Sequence, residues 1–369
     1  MAAFKPSGYF RRALPTGKFG KRFLLGAAAA NAPDAMTVGQ WSVADKGTDG
    51  AITITVSTLP SDGGSAITAL QYRIDGGSWV TMAGTGTGAR DVTGLSNSVQ
   101  ITVDLRAVNA VGNATASDGK TVIPRLAEIN TYRAACTVAP TLPHELLVST
   151  MVSSLKSGGF WAGFSNITLL CAETAQAARV NLKDPSKVAT ISGSPTHTAG
   201  LGYAGDEASA YLDFGESFGA SSHLTLNSAS LYAACNQQNG ATGVKSHLGS
   251  TNGTPITFVG ATSSGNPVQR VNGTAGVSGG TSDGNRARRR WSLRNDASNI
   301  SYIRNGVEQF TSAAASTNIV TGNVTALRVG SSYTSDRLAM VAWGAGLSVA
   351  DAISVDTIFT TFLTGVGAN

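Results

Sequence analysis

Four of the five residues from Arg286 to Arg290 are arginines, the sharpest charged cluster of the 369-residue chain outside its first thirty residues. Read as a strand, the alternation puts Arg288, Arg290 and Arg294 on one face and Arg289, Trp291 and Leu293 on the other. Trp291 and Leu293 read as core. The opposite face then looks outward, where guanidinium forks can hold the carboxylates of an acidic polysaccharide. Arg286, Arg288 and Arg290 are therefore candidate glycan-binding residues. A solvated face or a subunit contact is the plain alternative.

Other chemistry is thinly represented. His144, His197, His223 and His247 are scattered, none beside a cysteine or in an HExxH pattern, and they read as turn or surface residues. Glycoside hydrolysis needs two carboxylates flanking the scissile bond. Asp213 and Glu216 come nearest, but their odd spacing puts them on opposite faces, and Gly215 between them signals a turn. Asp213 therefore reads as structural, and the chain as no enzyme. No cofactor is expected. Calcium is a secondary candidate, with Asp206, Glu207, Asp283 and Asp336 as oxygen donors that no spacing selects. Cys136, Cys171 and Cys235 are odd in number and form no CxxC pair, so zinc is not expected and free buried thiols are.

Such residues need elements to hold them, and the composition indicates which. Charged residues make up 13%, hydrophobic residues 42%, and glycine fills 44 positions. Few charges, many short apolar runs and frequent glycine turns point to an all-β chain. The net charge is +5, yet Lys5, Arg11, Arg12, Lys18, Lys21 and Arg22 put +6 into residues 1–30, leaving −1 for the rest. Residues 1–31 thus read as a basic arm, dotted with Phe4, Tyr9, Phe10, Phe19 and Phe23. It is too short for a core of its own and suited to docking on another protein. The run Phe23-Leu24-Leu25-Gly26 into alanines imitates a secretion signal but sits at the short limit for one. No segment reaches the length of a membrane span, and no nucleic-acid-binding motif accompanies the slightly acidic body.

Between 32 and 124, Ile52, Ile54 and Val56 alternate with threonine, Asp75-Gly76-Gly77 reverses the chain, and Ile101, Val103 and Leu105 alternate again. Gly63-Gly64-Ser65-Ala66-Ile67, the hairpin Gln71-Tyr72-Arg73-Ile74-Asp75-Gly76-Gly77-Ser78-Trp79 and Arg106-Ala107-Val108-Asn109-Ala110-Val111-Gly112 resemble a fibronectin type III domain. That likeness implies an immunoglobulin-like spacer or adhesive module. Residues 125–159 read as a linker with a helix opened by Pro143 and closed by Gly158-Gly159. Leu147, Met151 and Leu155 share one of its faces.

The last domain, 160–369, has short strands, the Asn181-Leu182-Lys183-Asp184-Pro185 run, and Gly202-Tyr203 followed by Tyr211-Leu212-Asp213. An Asn305-Gly306 turn suits a type I′ hairpin. At the end, Ser348 and Asp351 form a capping-box start for a helix to about Leu363, with Ile358, Phe359 and Phe362 toward a sheet. This ending resembles concanavalin A-like and laminin-G-like domains, so the fold expected is an immunoglobulin-like sandwich followed by a larger jelly-roll sandwich. The order of motifs in the last domain resembles fibre or spike proteins of bacteriophage, prophage or gene-transfer-agent-like virions.

That resemblance implies a virion protein made in the bacterial host cytoplasm. It would be anchored to capsid or tail proteins by the arm and would present a lectin-like domain to host-surface polysaccharide as a homo-oligomer. A purely structural decoration or cement protein and a polysaccharide-degrading enzyme are the alternatives.

Overall fold

Ile52, Ile54 and Val56 alternate with half-exposed threonines, and in the computed structural model each of the three is buried in the first of two sandwiches. The structure describes residues 29–221, 223–239, 244–251, 256–261, 266–279 and 284–369. The basic arm, with Lys5, Arg11, Arg12, Lys18, Lys21 and Arg22, and also Asp283, lies outside the described residues.

The chain is all-β, an immunoglobulin-like sandwich followed by a larger jelly-roll sandwich. In the first, a three-stranded sheet (Trp41–Asp45, Ile52–Val56, Gly88–Val92) faces a four-stranded one (Val80–Thr81, Ile67–Ile74, Ile101–Asn109, Lys120–Val122). Trp41, Leu70, Val103 and Leu105 fill the space between them. Outside, the Gln71–Trp79 hairpin holds Trp79 between Arg73 and Arg106, whose guanidinium carbons lie 4.8 and 4.2 Å from the ring centre.

Two helices follow where the sequence indicated one: α1, Ala127–Ala135, and α2, Leu142–Ser157. Only Ile129 and Tyr132 of α1 are buried, too few for a periodic signal. Both helices lock the first sandwich to the second. Glu145, 1% exposed, receives Arg125 and Arg133 at 2.5 Å each and the Ser98 hydroxyl at 3.4 Å. Lys156 bridges Asp49 and Glu128 at 3.1 Å each. Asp45 accepts the Arg125 N–H at 3.2 Å and the Asn130 amide at 2.8 Å.

In the second sandwich every strand pairing is antiparallel. One sheet runs Thr196–Thr198, Gly202–Ala204, Arg337–Gly344, Ala229–Gln237, Arg289–Arg294, Asn299–Arg304, Val307–Ala313, with Phe164–Thr168 also on Arg337–Gly344. The facing sheet runs Val277–Ser278, Pro267–Gly273, Ile256–Ala261, Lys245–Thr251, Asn323–Ala326, Tyr211–Ser217, Thr190–Ser192. Asn305 and Gly306 take φ of 50° and 73°, the positive values a type I′ turn requires.

The last helix, α3 (Val349–Gly365), covers the outer face of the first of these sheets beside α2. Ser348 caps it. Its hydroxyl accepts the Asp351 N–H at 3.1 Å and donates to the Asp351 carboxylate at 2.7 Å, so the acid returns to the hydroxyl. Phe359 stacks on Trp291 with centroids 5.9 Å apart and packs against Tyr232 and Phe164. Ser348→Ala is expected to cost about 1 kcal/mol, the usual value of a lost N-cap. Chemical denaturation should report it as a lower midpoint at unchanged slope.

This layering corrects the reading of the arginine cluster. The alternation holds, since Trp291 and Leu293 face α3 while Arg290 and Arg294 lie on the other side. That side, however, is the interior between the two sheets. Arg286 is 1% exposed and Arg290 0%, so neither presents a guanidinium to a polysaccharide. Arg290 is spent on the carbonyls of Arg286 and Arg288, at 2.6 and 3.1 Å. Arg294 is spent on those of Val271 and Ala314, at 2.8 and 2.7 Å. Arg288 is half-buried and donates to the Ala287 carbonyl at 2.8 Å. A strand central in a sheet covered on both faces has no solvent face, whatever its alternation.

Candidate functional site

A polar concavity of the second sandwich opens where several strands end. Phe164–Thr168 contributes Ser165, and the 181–187 loop contributes Lys183, Asp184 and Lys187. Asn181 fixes that loop. Its side chain accepts the N–H groups of Ile167 and Lys183, at 3.3 and 2.9 Å, and donates to the Ser165 carbonyl at 3.2 Å. The strand Tyr211–Ser217 carries a register shift between Asp213 and Ser217, with Gly215 at φ 64°. The turn expected at Gly215 is thus a bulge inside a strand, and Glu216 beside it lines the cleft. Asp213 accepts the Gly215 N–H at 2.8 Å and the Asn323 amide at 3.0 Å, a structural role. Buried Phe164 and Trp343 form part of the lining of a cavity of about 480 Å³.

Within it, the Ser165 hydroxyl lies 2.5 Å from that of Ser221 and 3.2 Å from His223 Nδ1. Lys187 stands 3.7 Å from Glu216. Burial raises the Glu216 carboxyl above its ordinary value, with Lys187 opposing. Lys183 is committed elsewhere, donating to the Trp161 carbonyl at 2.5 Å with its ammonium 4.0 Å from that ring's centre. Burial lowers its pKa to about 8. Of the lining cations, Lys187 is thus paired with Glu216 and Lys183 is engaged by Trp161. The rest of the lining includes hydroxyls, the Asn323 amide, whose N–H is on Asp213, and the His223 imidazole, groups that both donate and accept hydrogen bonds. That inventory suits an uncharged polyhydroxylated ligand better than an acidic one.

The calcium candidates among the described residues do not converge. Asp206 accepts the N–H groups of Ala208, Ser209 and Ala210, at 2.8 to 2.9 Å, and these backbone bonds hold its carboxyl well below the usual range. Glu207 pairs with Lys245 at 2.6 Å. Asp336 is fully buried, 2.9 Å from Arg286 and 3.0 Å from His247 Nε2. Cys235, His247 and Asp336 are the one set of three potential metal donors within 4.8 Å of one another among the described residues. A guanidinium already on the carboxylate opposes a dication there, and burial pushes the Cys235 thiol up to about 12. This is an ion-paired core. His144 and His247, expected at the surface, are both buried. Among the described residues the three cysteines are free.

No sequence family and no curated protein matches the chain. Among solved structures, 26% of this chain aligns with 17% of the twitchin kinase region from C. elegans, at 22% identity and a TM-score of 0.21. The 6th fibronectin type III domain of human fibronectin type III domain containing protein 3 is covered over 93% of its length by 27% of this chain, at 19% identity and a TM-score of 0.21. Trypanosoma rangeli sialidase in complex with sialic acid aligns over 88% of this chain and 52% of its own, at 10% identity and a TM-score of 0.40. The chain therefore spans about half of the sialidase and under a fifth of the twitchin region.

Sequence reasoning had marked part of this cleft without seeing it. The Asn181–Pro185 run supplies Lys183 and Asp184, and Glu216 was noted as an acid. Ser165, Ser221 and His223 were missed as a group. Ser221 and His223 stand 56 and 58 positions beyond Ser165 and meet it only because the end of one strand folds against the turn after another. No spacing rule captures that.

Proposed function

We propose that the chain is a non-enzymatic virion component of a phage or phage-like particle, anchored by its basic arm. The C-terminal sandwich would hold a host-surface glycan in the Ser165–Glu216–His223 cleft. The observation that carries this reading is the layout of the first sandwich. Asn31, where the arm enters, is held at one pole by the Gly63 carbonyl at 2.9 Å and by the Asn109 amide at 2.7 Å. The linker leaves from the other pole, where Ser98 donates to the Pro124 carbonyl at 2.7 Å. The nine residues of Ile101–Asn109 separate the two ends, about 30 Å at the usual strand rise. A module entered at one end and left at the other, then clamped by Glu145 and Lys156, is a stiff spacer between an anchor and a recognition domain.

What supports an uncharged sugar, in place of the acidic one that the arginines had suggested, is the mixed donor and acceptor lining of the cleft. Weak single-site affinity would be multiplied by display of several copies. The raised Glu216 carboxyl favours one rival, hydrolysis with Glu216 as general acid.

The test has two arms. Deleting residues 1–30 is expected to leave a folded β-rich protein that no longer joins particles; incorporation at parental copy number would remove the anchoring role. On a glycan array, the protein should bind neutral saccharides with little dependence on salt, because an uncharged ligand offers no charge for salt to screen. Ser165→Ala with Asn323→Ala should weaken binding by about tenfold, the equivalent of one or two hydrogen bonds. Sugar release by the parent that Glu216→Gln abolishes would replace attachment by catalysis.

A further inference from the structure

A second cavity, of about 210 Å³, lies between the segment joining α1 to α2 and the 172–177 turn of the larger sandwich. Its enclosed walls are Tyr132, Pro140, His144, Ala172 and Ala177, all buried, with exposed Val138, Ala139 and Thr141 at the rim. Hydrogen bonds brace the two sides. Glu173 accepts the Thr141 N–H at 2.8 Å and hydroxyl at 2.5 Å, and Gln176 accepts the Thr137 N–H at 3.0 Å and donates to the Ala135 carbonyl at 3.0 Å. The space is therefore preformed. Tyr132 turns its hydroxyl to the Ala177 carbonyl at 3.4 Å. His144 is 6% exposed, stands edge-on to Phe362, and has a buried Nε2 with no hydrogen-bond partner. Burial also lowers its pKa, so the imidazole is neutral near pH 7.

We infer that this cavity is a binding site for a small uncharged ring-sized molecule carrying one hydrogen-bonding group, a phenol in type, with His144 as its polar contact. Three features set the class. The volume exceeds the roughly 150 Å³ that accommodates benzene in an engineered protein cavity and falls short of the roughly 300 Å³ at which drug-sized pockets begin. The walls are mostly carbon, so water filling the space would find few partners. No cation lines the space, so an anion would find no counter-charge there, and both oxygens of Glu173, the one lining carboxylate, accept from Thr141 at the rim. The site is independent of the glycan cleft and sits where the linker helices meet the sandwich, so a ligand there would tighten that joint.

Para-cresol and toluene are suitable probes, read by ligand-observed NMR and by the thermal midpoint of the full chain. Para-cresol is expected to bind and raise the midpoint with concentration, and toluene to bind more weakly. Ala139→Trp closes the mouth from an exposed position and should weaken para-cresol by at least about tenfold. His144→Phe keeps a ring but removes the nitrogens, and should reduce para-cresol to the affinity of toluene. If para-cresol does not bind the parent chain, or binds the Ala139→Trp variant equally well, the inference is overturned. Equal affinities for the two probes in the parent would remove His144 from it.

Discussion

Asp336→Asn is expected to destabilise the larger sandwich by about 3–5 kcal/mol, the range for breaking one side of a buried ion pair. Asp336 takes Arg286 through Nε at 2.9 Å and Nη2 at 3.1 Å, His247 at 3.0 Å, and the Asn239 N–H at 2.8 Å. The substitution leaves the Arg286 cation buried, with the Asn239 carbonyl, at 2.6 Å, as a remaining neutral acceptor. Replacing both partners, as Arg286→Met with Asp336→Leu, should restore much of the loss, because the penalty lies in burying a cation without this carboxylate more than in the absence of the pair.

The same group gives a pH signature. Burial alone would raise the Asp336 carboxyl, but its hydrogen bonds to His247, Arg286 and Asn239 hold it well below the usual range. Its contribution is therefore full above the unfolded value of about 4 and is lost as pH falls toward the folded value. His247, lowered by burial, acts in the same direction, beginning below its unfolded value of about 6.5. Asp356, raised by burial, acts in the opposite sense and loses stability as pH rises through its range. Urea midpoints from pH 7 to 3 should fall more steeply in the parent than in Asp336→Asn. Parallel curves would mean that the Asp336 carboxylate is not what holds this core.

What the sequence disclosed and what it hid divide along one physical line. Local rules were legible because a few neighbouring residues decide them: positive φ at Asn305-Gly306, the Ser348 cap, and alternation at Ile52–Val56. The Arg289–Arg294 strand shows the limit. Its alternation was right, yet alternation says only that two faces differ, and the second face met another sheet in place of water. His144 and His247 went the same way, because burial depends on what arrives from elsewhere in the chain. The cleft residues have no local signature at all, since Ser165, Ser221 and His223 become neighbours only through sheet topology. Helix α1 gave too little periodicity to read, and its importance lies in the Arg133–Glu145 and Lys156–Glu128 contacts that tie it to α2.

Phe362→Ala is expected to cost about 3–5 kcal/mol, several times the loss from Ser348→Ala, because it leaves a cavity as well as losing transfer energy. Phe362 is 2% exposed and belongs to the core between the helices and the outer face of the sheet, where His144 meets its ring edge-on with centroids 6.0 Å apart. The residue ties α3 to α2, and α2 carries Glu145, which receives Arg125 and Arg133. Truncation should therefore loosen the joint to the first sandwich along with the second sandwich. Hydrogen exchange should show it as faster exchange in α2 as well as α3. A Phe362→Leu control, which retains most of the buried carbon, should lose much less. Were Phe362→Ala to cost no more than Ser348→Ala, or to leave α2 exchange unchanged, the helix pair would not be the element that couples the two sandwiches.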